Sequence, residues 1–506
     1  MVISEENETA GDEKGETMFE MLRFLAKAVR LKLDARRGPE HLQALQQRRL
    51  RRLVRHARQH SPFHAERLRD IDPERFELRQ LPVMTKTEMM ADFDRVLTDR
   101  RLRRGELEEF LSDPGRLGQW YRGCYAVCRT SGTQGVPALI VQDRRMMELL
   151  FALQIARGSV FAGGIGVAKA VRAAAARLLR PARLAAVTIG KGFFPSAVGL
   201  AYAPPAARRF MDQLWLTHIE PLAEVVEQLN RYQPDVLLAY ANVLEILARE
   251  ALAGRLRLDQ APLRQLINMS EPLSPGAKRL LEQAFALPVT NNYASGECMH
   301  LSLGCPQGYG MHLQTDWAIL EVVDREYRPV PPDQPGDRVL ITNLANTLQP
   351  FIRYELADAV MLSPTPCPCG SPFPLIREVA GRSDEVVWVR ENGRYRQVHP
   401  YVFIDVLDEY PPLGWYQIVQ RERNRFLLRA VPAPGRRLGR EELHAVLQRG
   451  LRRFGLADLV QFEVEITTEL TPDPNSGKLK RITSCVGPPD SLRRGAARGR
   501  RRALAG

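Results

Sequence analysis

Apolar residues recur at helical spacing from residue 17 to about residue 70, interrupted at Gly38-Pro39 and Ser61-Pro62. This stretch therefore reads as successive helices. The first 16 residues are polar and acidic and are expected to stay disordered. Residues 70–125 are mixed, with Lys86 following the apolar pair Pro82-Val83. From 126 to about 300, apolar runs alternate with amphipathic segments. Pro221 to Tyr232 predicts a helix ending before Pro234, Asp235 to Ala241 a buried strand, and Val243 to Ala253 the next helix. Such alternation predicts α/β layers. Leu313 to Val323 and Arg338 to Thr342 read as strands around a Pro-rich turn at Pro329 to Pro335.

Beyond residue 383 the pattern changes. Strand-like runs (Glu385 to Val389, Trp415 to Gln420, Arg425 to Val431, Gln461 to Ile466) surround helices near Pro400 to Asp408 and Arg440 to Phe454. The expected division is a disordered acidic N-terminus over 1–16, a large multi-layer α/β domain over 17–382, a small α+β domain over 383–486, and a disordered basic tail over 487–506. The boundary falls at Gly381-Arg382-Ser383-Asp384. No internal repeat is present.

With 506 residues, the chain exceeds one compact core. A hydrophobic share of 44% and a charged share of 26% fit a soluble globular protein. The most apolar region, Ala182 to Ala203, is interrupted by Arg183 and Lys191, so no transmembrane helix is expected. The acidic start (Glu5, Glu6, Glu8) is unlike a secretory signal, and a cytoplasmic protein is expected. Net charge is +13, with arginines at 48, 49, 51, 52, 55 and 58 and again from Arg493 to Arg502. Basic patches can bind nucleic acid or anionic lipid. The first group interleaves with Leu50, Leu53, Val54 and Ala57 at helical spacing, which favours a solvated face of an amphipathic helix. No nucleic-acid recognition motif accompanies it.

Candidate chemistry begins at Arg129-Thr130-Ser131-Gly132-Thr133-Gln134-Gly135-Val136-Pro137. Glycines let a backbone turn tightly beside a ligand, and small hydroxyls with exposed N–H groups surround an anion. Nucleotide phosphates suit such a loop, although no Gly-Lys-Ser/Thr follows. An ordinary Ser/Thr/Gly turn is the plainer alternative. Of seven cysteines, four fall between Cys298 and Cys369, alongside His300 and His312. Thiolate and imidazole in that clustering suit tetrahedral Zn²⁺. Buried unpaired thiols are the alternative.

Six further motifs follow in order. They are Gln233-Pro-Asp-Val-Leu-Leu-Ala-Tyr240, Ser270-Glu271-Pro272-Leu273, and Asn291-Asn292-Tyr293-Ala294-Ser295-Gly296-Glu297. Then come Thr342-Asn343-Leu344 with Pro350-Phe-Ile-Arg353-Tyr354-Glu-Leu-Ala-Asp358, Gly381-Arg382-Ser383-Asp384, and Ser476-Gly477-Lys478-Leu-Lys-Arg481. Together with the loop, this series resembles the acyl-adenylate-forming superfamily, most of all its phenylacetate–CoA ligase and CapK branch, over about residues 40–485.

The resemblance implies a large domain followed by a small mobile C-terminal lid. It implies that Thr130, Ser131, Gly132, Thr133, Gln134 and Gly135 hold ATP phosphates. Ser270, Glu271 and Pro272 would flank the adenine, on which Tyr293 stacks beside Asn292. Glu297 would bind Mg²⁺, Asp358 the ribose hydroxyls, and Arg353 and Arg382 the nucleotide. Asp384 would be the hinge, and Lys478 would steady charge at the α-phosphate. Cys305, His312, Cys367 and Cys369 match a structural zinc site of some relatives, with Cys298 and His300 as competing ligands.

The implied activity joins ATP and a small carboxylic acid into acyl-AMP and passes the acyl group to CoA. CapK-type relatives leave an amine or a carrier protein open as acceptor, and a second copy of the chain stays open as a partner. Four positions depart from the usual pattern: Gln134, Ala138, Ala294 and Gly296. Ala138 and Gly296 keep open a nucleotide-binding protein that has lost catalysis. The identity of the acid is not encoded in any motif.

Overall fold

The computed structural model describes residues 5–130, 137–158, 180–188, 192–217, 220–259, 263–382, 387–398, 401–408, 410–433, 435–470 and 481–486. They fall into two units. The first comprises 1–271, 280–356 and 360–379, and the second comprises 272–279, 357–359 and everything from 380 onward.

Three helices open the first unit: α1 (Glu5–Arg36), α2 (Pro39–His60) and α3 (Pro62–Arg67). Helix α1 begins at Glu5, within the segment read as disordered. The breaks lie at Gly38-Pro39 and Ser61-Pro62. Gly38 takes φ 88°, which favours glycine, and Pro39 and Pro62 begin helices, where a missing N–H costs nothing. On α2, Leu42, Leu45, Leu50, Leu53, Val54 and Ala57 are buried, while Arg51, Arg52 and Arg55 are exposed. Arg49 instead turns inward. With Arg157 it holds the fully buried Asp316, at 3.0 Å and 2.7 Å. Such a buried carboxylate requires paired, hydrogen-bonding cations.

A hairpin of β1 (Tyr125–Arg129) and β2 (Leu139–Asp143) packs in the main core with the helices Arg104–Ser112 and Arg144–Arg157. The central element is a five-stranded parallel sheet. Its strands are β3 (Ala182–Thr188), β4 (Met211–Thr217), β5 (Val236–Ala239), β6 (Gln265–Met269) and β7 (Val289–Asn292), in the order β4-β3-β5-β6-β7. Helices Leu222–Tyr232, Ala241–Leu252 and Pro275–Phe285 link β4 to β7 in turn. This is the predicted βα alternation, and its parallel pairing demands such crossovers. Asp235 fastens the entry of β5 by accepting the Arg183 N–H at 2.9 Å.

Two small sheets complete the unit, although residues 358–359 of β13 and 380–382 of β14 belong to the second. One contains β8 (Ser302–Gly304), β9 (Met311–Leu313), β13 (Asp358–Leu362) and β14 (Leu375–Arg382), in the order β13-β14-β9-β8. The other pairs β10 (Ala318–Val323), β11 (Arg338–Asn343) and β12 (Tyr354–Leu356). The expected long strand from Leu313 to Val323 is thus two strands. Its break at residues 314–317 carries Asp316, whose carboxylate points to arginines rather than to a strand neighbour.

The second unit is α+β. A hairpin of β15 (Val387–Glu391) and β16 (Arg394–Val398) comes first. Strands β17 (Leu413–Glu422), β18 (Arg425–Pro432), β19 (Gln461–Ile466) and β20 (Ile482–Ser484) then form a sheet of order β19-β18-β17-β20. The helices Tyr401–Asp408 and Arg440–Arg452 accompany it. Phe403, Phe426, Leu428, Leu443 and Leu447 form its own core.

No helix among the described residues is long and apolar enough to cross a membrane.

Candidate active site

Parallel strands carry ligands beyond their carboxyl ends. Register places Ala239 beside Asn268, and Met269 beside Asn292. The next residues along β5, β6 and β7 are therefore Tyr240, Ser270 and Tyr293, at the same edge of three adjacent strands. Three motifs distant in sequence meet there. Ser270 adopts φ 60°, a left-handed conformation that favours glycine and is uncommon for serine. Glu271 accepts the Asn242 N–H at 3.2 Å, binding the turn to the start of the helix after β5. Beneath it, Asn268 donates to the Glu271 carbonyl and to Asn291 Oδ1, both at 2.8 Å. Asn292 accepts the Gly304 N–H at 2.7 Å. Tyr293 exchanges backbone bonds with the Ser302 hydroxyl at 3.0 and 2.7 Å and packs in the main core. Tyr240 OH lies 3.0 Å from Ser196 Oγ.

The Thr/Ser/Gly loop leaves from the β1–β2 hairpin. Its stem is closed reciprocally. Thr130 donates its N–H to the Ala138 carbonyl at 3.0 Å, and Ala138 donates to Thr130 Oγ1 at 2.9 Å. Ser131, Gly132, Thr133, Gln134 and Gly135 lie outside the described residues, as do Asp384 and Lys478. Among the described residues, strand β2 has no second strand neighbour. Gln349 substitutes for one, accepting the Val141 N–H at 2.8 Å and donating to the Leu139 carbonyl at 3.0 Å. Asn346 adds a bond to the Val141 carbonyl at 3.0 Å. Sequence reading missed both side chains. A loop amide carries no sign of a strand edge some 200 positions away.

Gly296 lies against this stem. A Cβ placed on it would stand 2.6 Å from Ile140 Cδ1, 2.9 Å from Pro195 Cγ and 3.7 Å from Thr130 Cγ2. The next residue, Glu297, is buried, and its carbonyl accepts the Asn343 side-chain amide at 2.7 Å. Asn343 also caps the turn after β11, accepting the N–H groups of Ala345 and Asn346 at 3.0 and 3.1 Å. Burial pushes the thiols of Cys128 and Cys298 above their ordinary range, and the Glu297 charge adds to the effect.

Arg353 sits at φ 45° with its N–H on Thr342 Oγ1 at 3.0 Å, so the two halves of the fifth motif are joined directly. Its guanidinium grips Glu321 through two bonds of 2.9 and 3.1 Å and reaches the Leu81 and Arg79 carbonyls at 2.7 and 3.2 Å. The side chain is internal. Asp358 opens β13 and Arg382 closes β14. Pro272 belongs with Asp358 and Arg382 to the second unit. There Arg481, the last residue of the Lys478 motif, binds both Asp408 oxygens at 3.1 Å, and its carbonyl accepts the Ile418 N–H at 2.7 Å. The exit of that segment is fixed at the start of β20.

Cys305, His312, Cys367 and Cys369 come together, with all ligand atoms within 4.8 Å of one another. Cys305 Sγ and Cys367 Sγ are 3.7 Å apart, and Cys369 Sγ is 3.3 Å from His312 Nε2. A tetrahedral ion with zinc bond lengths would hold its ligands about 3.4–3.8 Å apart. The donor set therefore fits. Two tight turns bring the thiols in: Gly308 N–H donates to Cys305 O and Gly370 N–H to Cys367 O. Gly310, at φ 142°, has Ile376 O at 2.5 Å from where a Cβ would stand. Cys298 and His300 pair with each other instead, at 3.7 Å, and His300 Nε2 donates to Trp317 O at 3.1 Å.

No protein-family model matches the chain. Phenylacetate-coenzyme A ligase of Thermus thermophilus is 23% identical over 488 residues, covering 88% of this chain and 96% of that protein. Among solved structures, 2-hydroxyisobutyryl-CoA ligase in the postadenylation state matches with a TM-score of 0.62 at 19% identity, over 92% of this chain and 94% of its own. In sequence and in fold the chain is similar to the acyl-adenylate-forming superfamily. A second relative, protein CapK of Staphylococcus aureus, is 25% identical over 175 residues, 34% of this chain and 37% of that protein. The anthranilate CoA ligase AuaEII, solved with anthranoyl-AMP, matches at a TM-score of 0.50 and 15% identity, over 73% of this chain and 67% of its own. The superfamily's division into a large N-terminal and a small C-terminal domain accords with the mixed α/β architecture described above.

Proposed function

We propose that this chain is an AMP-forming acid–CoA ligase. A carboxylate oxygen attacks the α-phosphorus of ATP, the α–β anhydride bond breaks, and pyrophosphate leaves. A thiolate then attacks the acyl carbonyl of the acyl-AMP, and AMP departs. The meeting of Tyr240, Ser270-Glu271 and Asn292-Tyr293 at one edge of the parallel sheet carries this reading. Catalysis of this kind consists of positioning and charge neutralisation.

In this reading Tyr293 is the stacking platform for adenine. The turn of Ser270, Glu271 and Pro272 borders it, and Asp358 accepts from the ribose hydroxyls. Thr130 to Gly135 and Arg382 hold phosphate oxygens. Mg²⁺, when bound, would offset phosphate charge, and Glu297 is the carboxylate that would hold it. Lys478, a compact charge on a flexible stem, stabilises the α-phosphate during attack. Arg353 positions the segment that leads to Asp358 and does not itself touch the nucleotide. Asp384 is the hinge. Zn²⁺ bound by Cys305, His312, Cys367 and Cys369 would be structural, since all four ligands are protein groups.

CoA as acceptor is supported by the phenylacetate and 2-hydroxyisobutyryl ligases. The similarity to CapK keeps an amine or carrier protein as a second acceptor reading. Lys478→Ala tests the assignment of steps. It should cripple adenylation and spare thiolysis of supplied acyl-AMP. Equal loss in both half-reactions would remove Lys478 from this role.

A further inference from the structure

Helix α1 has two apolar faces, and only one of them is used. Phe24, Ala28 and Leu31 are buried in the main core. On the opposite side, Leu22, Val29 and Leu33 are 56%, 42% and 43% exposed. Their spacing of seven and then four residues puts them in one stripe. They are three of only eight large hydrophobics exposed among the described residues. Scattered exposed leucines need no explanation, but an aligned stripe on one helix does.

The flanks of the stripe say what covers it. From Met21 to Arg37 the sequence has six basic residues and a single acid. That acid, Asp34, is buried and hydrogen-bonded to His41 at 3.0 Å. Lys27 is turned inward to Glu148 at 3.1 Å. At 100° per residue, Arg30 borders the stripe on one side and Lys32 and Arg36 on the other, with Arg37 just past the helix end. The outward arc is therefore apolar along its middle and cationic along both edges. A second copy laid parallel would bring arginines against arginines, because the other acids of the helix (Glu5, Glu6, Glu8, Asp12, Glu13, Glu16 and Glu20) all precede this stretch. A nucleic acid would engage the arginines and leave Leu22, Val29 and Leu33 in water. An anionic bilayer surface satisfies both features, because side chains of this kind enter the headgroup–acyl boundary while lysine and arginine remain among phosphates.

We propose that the outer face of α1 docks the protein peripherally on anionic membranes, with Leu22, Val29 and Leu33 inserted and Arg30, Arg36 and Arg37 on lipid phosphates. The helix lies on the surface and does not span it. This inference does not depend on the activity proposed above, and its readout is separate from turnover.

Flotation of the full chain with phosphatidylcholine vesicles, with or without phosphatidylglycerol, tests it. Binding is expected only to the phosphatidylglycerol-containing vesicles, weakening with salt. Arg30→Gln or Arg36→Gln should each weaken it about fivefold. Leu22→Ser/Leu33→Ser should weaken it by at least about tenfold, at unchanged melting temperature. The same losses should persist after residues 487–506 are deleted, which separates this face from the basic tail. No binding by the parent chain overturns the proposal. So does binding that depends on the arginines but is indifferent to the serine substitutions, the signature of a generic polyanion. Loss of self-association in the serine variants, without vesicle binding by the parent, would assign the stripe to a second copy and also overturn it.

Discussion

Ile140 fills the space that a side chain at residue 296 would need. Its δ-methyl lies 2.6 Å from the position of a Cβ on Gly296, and the Pro195 ring is 2.9 Å away on another side. Ile140 is fully buried, and Pro195 begins a helix, so neither can retreat freely. The hydroxyl that the resemblance leads one to expect at this position is replaced here by apolar packing against Ile140, Pro195 and the Thr130 methyl. The departure at Gly296 is therefore compensated within the fold, which argues against reading it as decay of the site.

Restoring the hydroxyl alone should do harm. Gly296→Thr is expected to cost about 1–3 kcal/mol through overpacking and to lower pyrophosphate release. Gly296→Ser combined with Ile140→Val, which removes the clashing methyl, should recover most of that loss. Urea unfolding and the pyrophosphate assay together check this. A Gly296→Thr variant as stable and active as the parent would contradict it.

Order around the metal cluster should depend on zinc. Protein purified without chelator is expected to hold about one equivalent. Strong chelators should lower its melting temperature, as should Cys369→Ser or His312→Gln, and adenylation should survive at reduced temperature. Elemental analysis and a melting curve suffice. Identical melting of metal-free and metal-loaded protein would remove the structural role.

Acid should destabilise the first unit in a defined window. Burial pushes His64 and His300 from their ordinary value of 6.5 to about 4. Each donates to a carbonyl, His64 to Pro350 and His300 to Trp317, and stays neutral in the folded state. The unfolded chain takes up these protons first, so the stabilisation is complete above pH 6.5 and lost as pH falls towards about 4. The loss is on the order of 3 kcal/mol for each histidine. His64→Gln, which keeps a donor for Pro350 without titrating, should flatten the acid limb of a stability–pH curve. An unchanged slope between those limits would refute the assignment.

Much of this was readable from the chain. Strand β5, with helices at 222–232 and 241–252, follows from an apolar run bounded by Pro221 and Pro234, and the structure adds a left-handed Gln233 at the helix end. The four residues of the Cys/His cluster were identifiable because residue chemistry, not geometry, limits the candidates. Cys298 and His300 could not be separated from them by sequence, since only the β8–β9–β14 pairing decides which thiols face one another. Strand β16 was missed because Arg394, Tyr395, Arg396 and Gln397 carry little apolar signal. Asn392-Gly393, both at positive φ, is the hairpin turn that could have revealed it. The Arg353–Glu321 pair was illegible for a different reason. An arginine within a nucleotide motif looks like a ligand contact until its buried partner is seen.

The most direct measurement is ATP-dependent pyrophosphate release over a panel of aryl, fatty and amino acids, with AMP and acyl-AMP followed in parallel. At least one class of acid should give pyrophosphate only when acid and ATP are both present, with acyl-AMP accumulating without CoA and converting to thioester when CoA is added. ATP bound with no pyrophosphate from any acid, or cleaved to ADP and phosphate, would contradict the assignment.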